Sequence, residues 1–158
     1  MADILLGILI FVPALLTFFL KSNGAVIFLA VCAGYVASSL AGTDVANLLS
    51  NSNFKVRNTD VYLIFLFLPM AFSIFLTALA VTGKPKLIMH TIAAAAAGAV
   101  FVLAAAPFIN ISLHLNLTEA KSWHALSGAQ SYLAGGGALY SMILIWFFSK
   151  NSSKKHKK

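Results

Sequence analysis

Charged side chains are scarce in this sequence. Only 9% of its 158 residues are Asp, Glu, Lys or Arg, whereas an average soluble domain has about 25%. Hydrophobic residues make up 60% of the chain, and the mean hydropathy is +0.91. A chain this short has too much surface to hide so many apolar side chains from water. These totals predict an integral membrane protein with no separate soluble domain.

Acidic residues and cysteine are rarer still. There are 4 Asp plus Glu against 11 Lys plus Arg, and much of the excess lies in the C-terminal residues 150–158. Nucleic-acid binding requires a basic face on a fold rather than a basic tail, so we expect no nucleic-acid partner. The single cysteine, Cys32, excludes an intrachain disulfide and a cysteine metal site, and its place in an apolar run predicts a packing role.

Recognisable catalytic sets are lacking as well. The apolar runs have no charged residue in their middle, although ion-coupled transporters and proton pumps usually need one there. The chain has no glycine-rich phosphate loop, no His-x-x-x-His motif and no paired-carboxylate helix motif. We therefore predict no catalytic residue, no cofactor and no resident metal, and an enzyme is not favoured.

One loop, residues 110–126, carries polar groups that form an alternative. They are His114, Glu119, Lys121 and His124. Two histidines and a glutamate suit zinc, so a metal-binding protein or a membrane enzyme using this loop is one alternative function.

Long apolar runs are what the sequence does have. They cover residues 4–20, 25–41, 61–82, 87–108 and 127–148. As helices, such runs can cross the roughly 30 Å hydrocarbon core of a bilayer. The predicted fold class is all-α: a polytopic transmembrane helical bundle of five spans within one domain, residues 1–149, followed by a basic tail, residues 150–158. The first run lacks the features of a cleaved signal peptide; without it, four spans would remain.

The fourth run has almost no side-chain bulk, because it contains Ala93–Ala99, which is alanine except for Gly98, and Ala104–Ala106. Such helices usually lie inside a bundle, where neighbouring backbones approach closely. We expect this helix at the centre, ended by Pro107, with the bulky third run outside. Its predicted neighbours are two sets of small residues at four-residue spacing. They are Ala30, Gly34, Ser38 and Gly42 in the second run, and Ser131 and Gly135 in the last.

Local patterns give further expectations. Residues 42–60 are polar and predict a loop with at most one helical turn, and the third run is predicted to continue to Thr82. Apolar and polar residues alternate from Ile109 to Thr118, which predicts an extended segment, with Thr118 capping the next helix. His90 is predicted to be an interfacial residue beside Lys86.

The distribution of positive charge predicts an orientation. With five spans, Lys55, Arg57 and Lys121 fall on one side of the membrane, and the other 8 of the 11 basic residues fall on the side of the tail. The positive-inside rule then places the C-terminus in the cytoplasm and the N-terminus outside.

Three short segments resemble a known family: Asp3-Ile-Leu5, Lys21-Ser-Asn-Gly24 and Gly34-Tyr-Val-Ala37. Residues 3–50 are similar to the opening of the colicin V production protein family, small multi-pass proteins of the bacterial inner membrane. The resemblance implies an accessory membrane protein and no site residues. We therefore expect a membrane subunit or scaffold assisting transport, export or envelope processes. Its expected partners are the lipid bilayer and, through small-residue helix faces, a second copy or another membrane protein.

A second alternative function is a small passive channel or transporter. In that case irregular backbone at Pro13, Pro69 and Gly135–Gly137 would line the pathway.

Overall fold

The computed structural model describes residues 2–51, 57–113 and 116–153, and all regular secondary structure within these ranges is helical. The helices are α1 (Ala2–Leu20), α2 (Gly24–Asn51), α3 (Asn58–Leu76), α4 (Lys84–Leu113), α5 (Lys121–Gly128) and α6 (Gln130–Ser153), with a 3₁₀ turn at Leu117–Glu119. All except α5 are long and apolar enough to cross a membrane. The predicted all-α class and its five apolar helices are thereby confirmed.

Helix starts follow ordinary capping chemistry. The Asn23 Oδ1 atom accepts a hydrogen bond from the Val26 N–H at 3.3 Å and so caps α2. Asp3 and Asp60 lie in the first turns of α1 and α3, where the helix dipole favours negative charge. Pro85 is in the first turn of α4, where its missing N–H costs no helical hydrogen bond.

The alanine-rich helix α4 lies at the centre of the bundle, as predicted. It packs against α1, α2, α3 and α6, and half of the residues in its apolar stretch are buried, a larger share than in the other four. Its alanines without any exposed surface are Ala93, Ala94, Ala97, Ala105 and Ala106. Because these side chains are small, neighbouring helices reach its backbone directly: Gly98 lies against the Ile10 carbonyl of α1.

The small-residue face of α2 has a different partner from the one predicted. A Cβ atom at Gly34 would lie 2.6 Å from the Phe65 carbonyl oxygen of α3, and one at Gly42 would lie 2.8 Å from the Tyr62 ring. The prediction that this face packs on α4 was therefore wrong at both glycines. The physical reason is side-chain bulk. The large side chains of α3 need small residues opposite them, whereas α4 already has small side chains of its own. Another face of α3 is directed outward, as expected, with Phe67, Phe72 and others exposed.

Two helices extend beyond their predicted ends. The helix α2 continues to Asn51 instead of entering a loop after residue 41, with Ala46 buried in the added part. The helix α4 continues through Pro107 to Leu113, so neither the predicted stop at Pro107 nor an extended strand from Ile109 is correct for residues 107–113.

Contacts beyond Pro107 explain why α4 continues. The Phe108 ring stacks on Tyr62 with centroids 4.9 Å apart. The Asn110 side chain accepts a hydrogen bond from the Leu117 N–H at 2.8 Å and donates one to the Thr118 Oγ1 atom at 2.9 Å. These interactions hold the final turns in place despite the hydrogen bond that proline cannot donate. Thr118 therefore bonds to α4 and does not cap α5, whose N-cap is Ala120.

The third helix is shorter than predicted, because α3 ends at Leu76. Residues 77–83 form a connector whose backbone bonds to the turn between α1 and α2. Within this connector, Leu79 adopts a left-handed φ of +62°.

The last apolar run is shared between two helices. Ala129 separates α5 from α6, so the predicted single span 127–148 begins at Gln130. The helix α6 continues to Ser153, so the first four residues of the predicted tail are helical; residues 154–158 lie outside the described part.

Antiparallel packing brings all acidic residues of the chain towards one end of the bundle. The end of α1 and the start of α4 lie together at one end of the bundle, which carries Lys21, Lys84 and Lys86 and which we call the basic end. All four acidic residues of the sequence lie towards the opposite end. They are Asp3, Asp44, Asp60 and Glu119.

Candidate functional site

The polar residues of the 110–126 segment do not form a described metal site. Glu119 lies exposed in the 3₁₀ turn, and Lys121 and His124 lie exposed on α5. Within residues 2–51, 57–113 and 116–153, no three His, Cys, Asp or Glu side chains are grouped as metal ligands. His114 lies outside the described residues, so the zinc alternative stays a prediction.

Hydrogen bonds in this region join helices. The Asp3 Oδ1 atom accepts hydrogen bonds from the Ser122 N–H at 3.0 Å and from the Ser122 Oγ–H at 2.6 Å. This pair fastens the start of α1 to α5, as Asn110 fastens α4 to the 3₁₀ turn. Both arrangements are explained by assembly of the bundle.

His90 is more deeply placed than predicted. It is only 4% exposed, and its ring lies against the end of α6, so it is buried within the bundle. Its ring centroid is 5.4 Å from that of Phe148, and the Lys86 Nζ atom lies 4.9 Å from the Phe148 centroid. The His90 Nδ1 atom has no hydrogen-bond partner among the described residues. A lone buried imidazole beside an aromatic ring is a packing arrangement rather than a catalytic set.

Cys32 has the packing role predicted for it. It is half-buried and lies against the core cluster that α1–α4 build. The fully buried large side chains of that cluster are Leu6, Ile27, Phe28, Val31, Leu66, Val102 and, from the 3₁₀ turn, Leu117.

Three of the residues predicted to line a channel lie in contacts between helices. Pro13 is buried in α1, and the Pro69 Cγ atom lies 3.3 Å from the Cβ position of Gly34. A Cβ at Gly137 would lie 2.6 Å from the Phe28 Cζ atom. At Pro13, Pro69 and Gly137 these contacts do not favour a channel, because a neighbouring helix covers each of these residues.

The remaining two glycines of the triplet are open. Gly135 and Gly136 are exposed, and a Cβ at either would meet no described atom within 4 Å. On the same outer face, Tyr132 is 82% exposed and Leu139 is 65% exposed. We call this arrangement the glycine notch: Gly135 and Gly136, flanked by Tyr132 and Leu139.

The glycine notch corrects a prediction. Ser131 and Gly135 were expected to pack on α4, yet both are exposed, and Gly137 faces the bundle instead. The helix α6 is also the least buried of the five candidate spans, with 17% of its apolar stretch buried. The three glycines thus lie on two sides of α6. Gly137 makes the internal contact, and Gly135 and Gly136 lie at an open surface.

Comparisons with family models, with curated proteins and with solved structures found no significant match. The resemblance to the colicin V production protein family therefore depends on the three segments within residues 3–50 alone. What the fold defines is a class: an all-helical chain with five helices suited to a membrane.

Proposed function

We propose that this chain is a multi-pass subunit or scaffold of a bacterial inner membrane, and that it binds a transmembrane helix of a partner protein at the glycine notch of α6. The resemblance of residues 3–50 supports the inner-membrane setting and a role in transport, export or envelope processes. The open glycines support the mode of binding.

One observation carries the proposal: Gly135 and Gly136 are adjacent glycines that are both open. Gly24, Gly34, Gly42, Gly98 and Gly137 each lie against a neighbouring helix. Gly7, Gly83 and Gly128 are also open, but each stands alone. In a bilayer, helices associate where small residues let backbones approach, since the hydrophobic effect gives no drive between helices there. The notch offers such an approach, and Tyr132 and Leu139 supply contact area beside it.

The binding mode is tested by crosslinking in native membranes. Gly136→Cys is introduced together with Cys32→Ser, so that the notch carries the only thiol, and a short bifunctional thiol–amine reagent is applied. We expect a discrete adduct to a membrane protein. The same substitution at Gly128, open but outside the notch, serves as the matched control and is expected to give no such adduct.

A steric substitution distinguishes specific binding at the glycine notch from nonspecific association. Gly136→Leu fills the notch, and its Cβ atom would meet no described atom within 4 Å. The fold is therefore expected to persist while co-purification of the crosslinked partner falls about tenfold, a loss equivalent to about 1.4 kcal/mol. Gly128→Leu should leave co-purification unchanged. An adduct at twice the mass of the chain would identify a second copy in place of a partner protein, and equal behaviour of the two variants would refute the notch as a binding face.

A further inference from the structure

A groove lies at the basic end, between the end of α1 and the start of α4. Its volume is about 870 Å³, within the range of about 300–1,000 Å³ that is typical of small-molecule sites. The walls are apolar: Phe18 and Phe19 come from α1, Leu87 and Ile88 from α4, and Leu79 from the connector.

The groove is held in shape by backbone hydrogen bonds. The Leu79 N–H donates to the Leu20 carbonyl at 2.7 Å, and the Val81 N–H donates to the Lys21 carbonyl at 2.9 Å. The buried Ser22 Oγ–H donates to the Ile74 carbonyl at 2.9 Å. Because the connector is fastened to the α1–α2 turn in this way, the groove exists before any ligand binds, which lowers the cost of ordering it.

Two lysines line this apolar groove, Lys21 at the turn and Lys84 at the start of α4. In the described part of the chain neither pairs with a carboxylate, since the acidic residues lie towards the opposite end. Lys86 differs, because it lies on another side of α4 over the Phe148 ring. The groove therefore combines apolar walls with two positive charges that no described side chain neutralises.

A ligand that matches this groove is both anionic and apolar. The ends of membrane-crossing helices lie at the depth of the lipid headgroups, and lysines near such ends attract anionic lipids. We propose that the groove binds an anionic glycerophospholipid, with its phosphate at Lys21 and Lys84 and an acyl chain along Phe18, Phe19 and Ile88. This inference is independent of the glycine notch, which lies on α6.

Native mass spectrometry of the full chain in detergent tests the proposal. The probes are phosphatidylglycerol and phosphatidylcholine with identical acyl chains. We expect the wild type to retain phosphatidylglycerol preferentially. Because a lysine near an anionic lipid surface contributes about fivefold in affinity, the double variant Lys21→Gln/Lys84→Gln should lower retention about tenfold or more. The control Lys86→Gln/Lys121→Gln removes the same charge outside the groove and should retain the lipid.

All four lysines are exposed, so both double variants are expected to fold, with melting temperatures in lipid-free detergent equal to that of the wild type. Phe19→Ser tests the apolar wall and should weaken retention without a change in charge. Equal retention of the two lipids, or equal loss in the two double variants, would overturn the proposal. Displacement of the bound lipid by millimolar inorganic phosphate would also overturn it, because it would assign the site to free phosphate.

Discussion

At Gly98 the backbones of α4 and α1 are in direct contact, and a single missing side chain makes that contact possible. The Ile10 carbonyl occupies the space that a Cβ at Gly98 would need. Since the obstacle is backbone rather than the end of a flexible side chain, one helix has to move if a methyl group is added. The packing of the central helix therefore depends on this glycine.

We expect Gly98→Ala to lower the free energy of unfolding by about 1–3 kcal/mol through overpacking. Thermal or denaturant unfolding in detergent would measure it. The matched control is Gly7→Ala on α1, where a Cβ meets no described atom within 4 Å. That control should be neutral or stabilising by up to about 1 kcal/mol, because alanine favours the helix. Equal losses in the two variants would contradict the close contact.

The glycines in the sequence predicted where helices approach each other closely, but they could not show which helix lies opposite each glycine. The spacing of Gly34 and Gly42 places them on one face of α2, and the same spacing suits α3 and α4 equally well. Which helix packs there depends on the bulky side chains of Tyr62 and Pro69, which lie opposite these two glycines only in the folded chain. For the same reason the sequence could not tell which glycine of the 135–137 triplet would face inward.

At the scale of the helices, local sequence rules predicted the apolar runs well and their ends poorly. Pro107 is a strong local stop, yet α4 passes through it because Phe108 and Asn110 make tertiary contacts beyond it. Leu76 carries no stop signal, yet α3 ends there because the connector bonds to the α1–α2 turn. The end of each helix thus depends on tertiary contacts, and the pattern of apolar residues along the sequence does not report these.

The continuation of α4 yields a prediction at Asn110. Its side chain makes two hydrogen bonds, to the Leu117 N–H and to Thr118 Oγ1, and each is worth about 1 kcal/mol. We expect Asn110→Ala to destabilise the chain by about 1–3 kcal/mol and to speed amide exchange across residues 117–128. Hydrogen exchange read by mass spectrometry would show this.

The comparison variant is Asn116→Ala, which removes an exposed side chain of the same type that makes no capping hydrogen bond. Exchange across residues 117–128 should then match the wild type. Unchanged exchange in Asn110→Ala would mean that other contacts hold the 3₁₀ turn and α5, such as the Asp3–Ser122 bonds and the buried Leu117 side chain.

At the scale of the whole molecule, the charged residues are distributed unevenly between the two ends of the bundle. The basic end carries Lys21, Lys84 and Lys86, and the acidic residues lie towards the other end. Such an asymmetry acts on insertion, because positive charges near short loops are retained in the cytoplasm. If the basic end is cytoplasmic, its lysines also face the leaflet whose anionic lipids attract them. The two lysines of the groove would then contribute both to the orientation of the chain and to lipid binding.

Orientation is the prediction that belongs to this scale. With Cys32→Ala as background, Thr82→Cys places a single thiol at the basic end and Lys121→Cys places one at the opposite end; both positions are exposed. If the basic end is cytoplasmic, a membrane-impermeant maleimide applied to intact bacterial cells should label position 121 and should reach position 82 only after lysis. Labelling of position 82 in intact cells would invert the topology. It would also move the lysine groove away from the leaflet rich in anionic lipid, so the same experiment limits where the proposed lipid site can act.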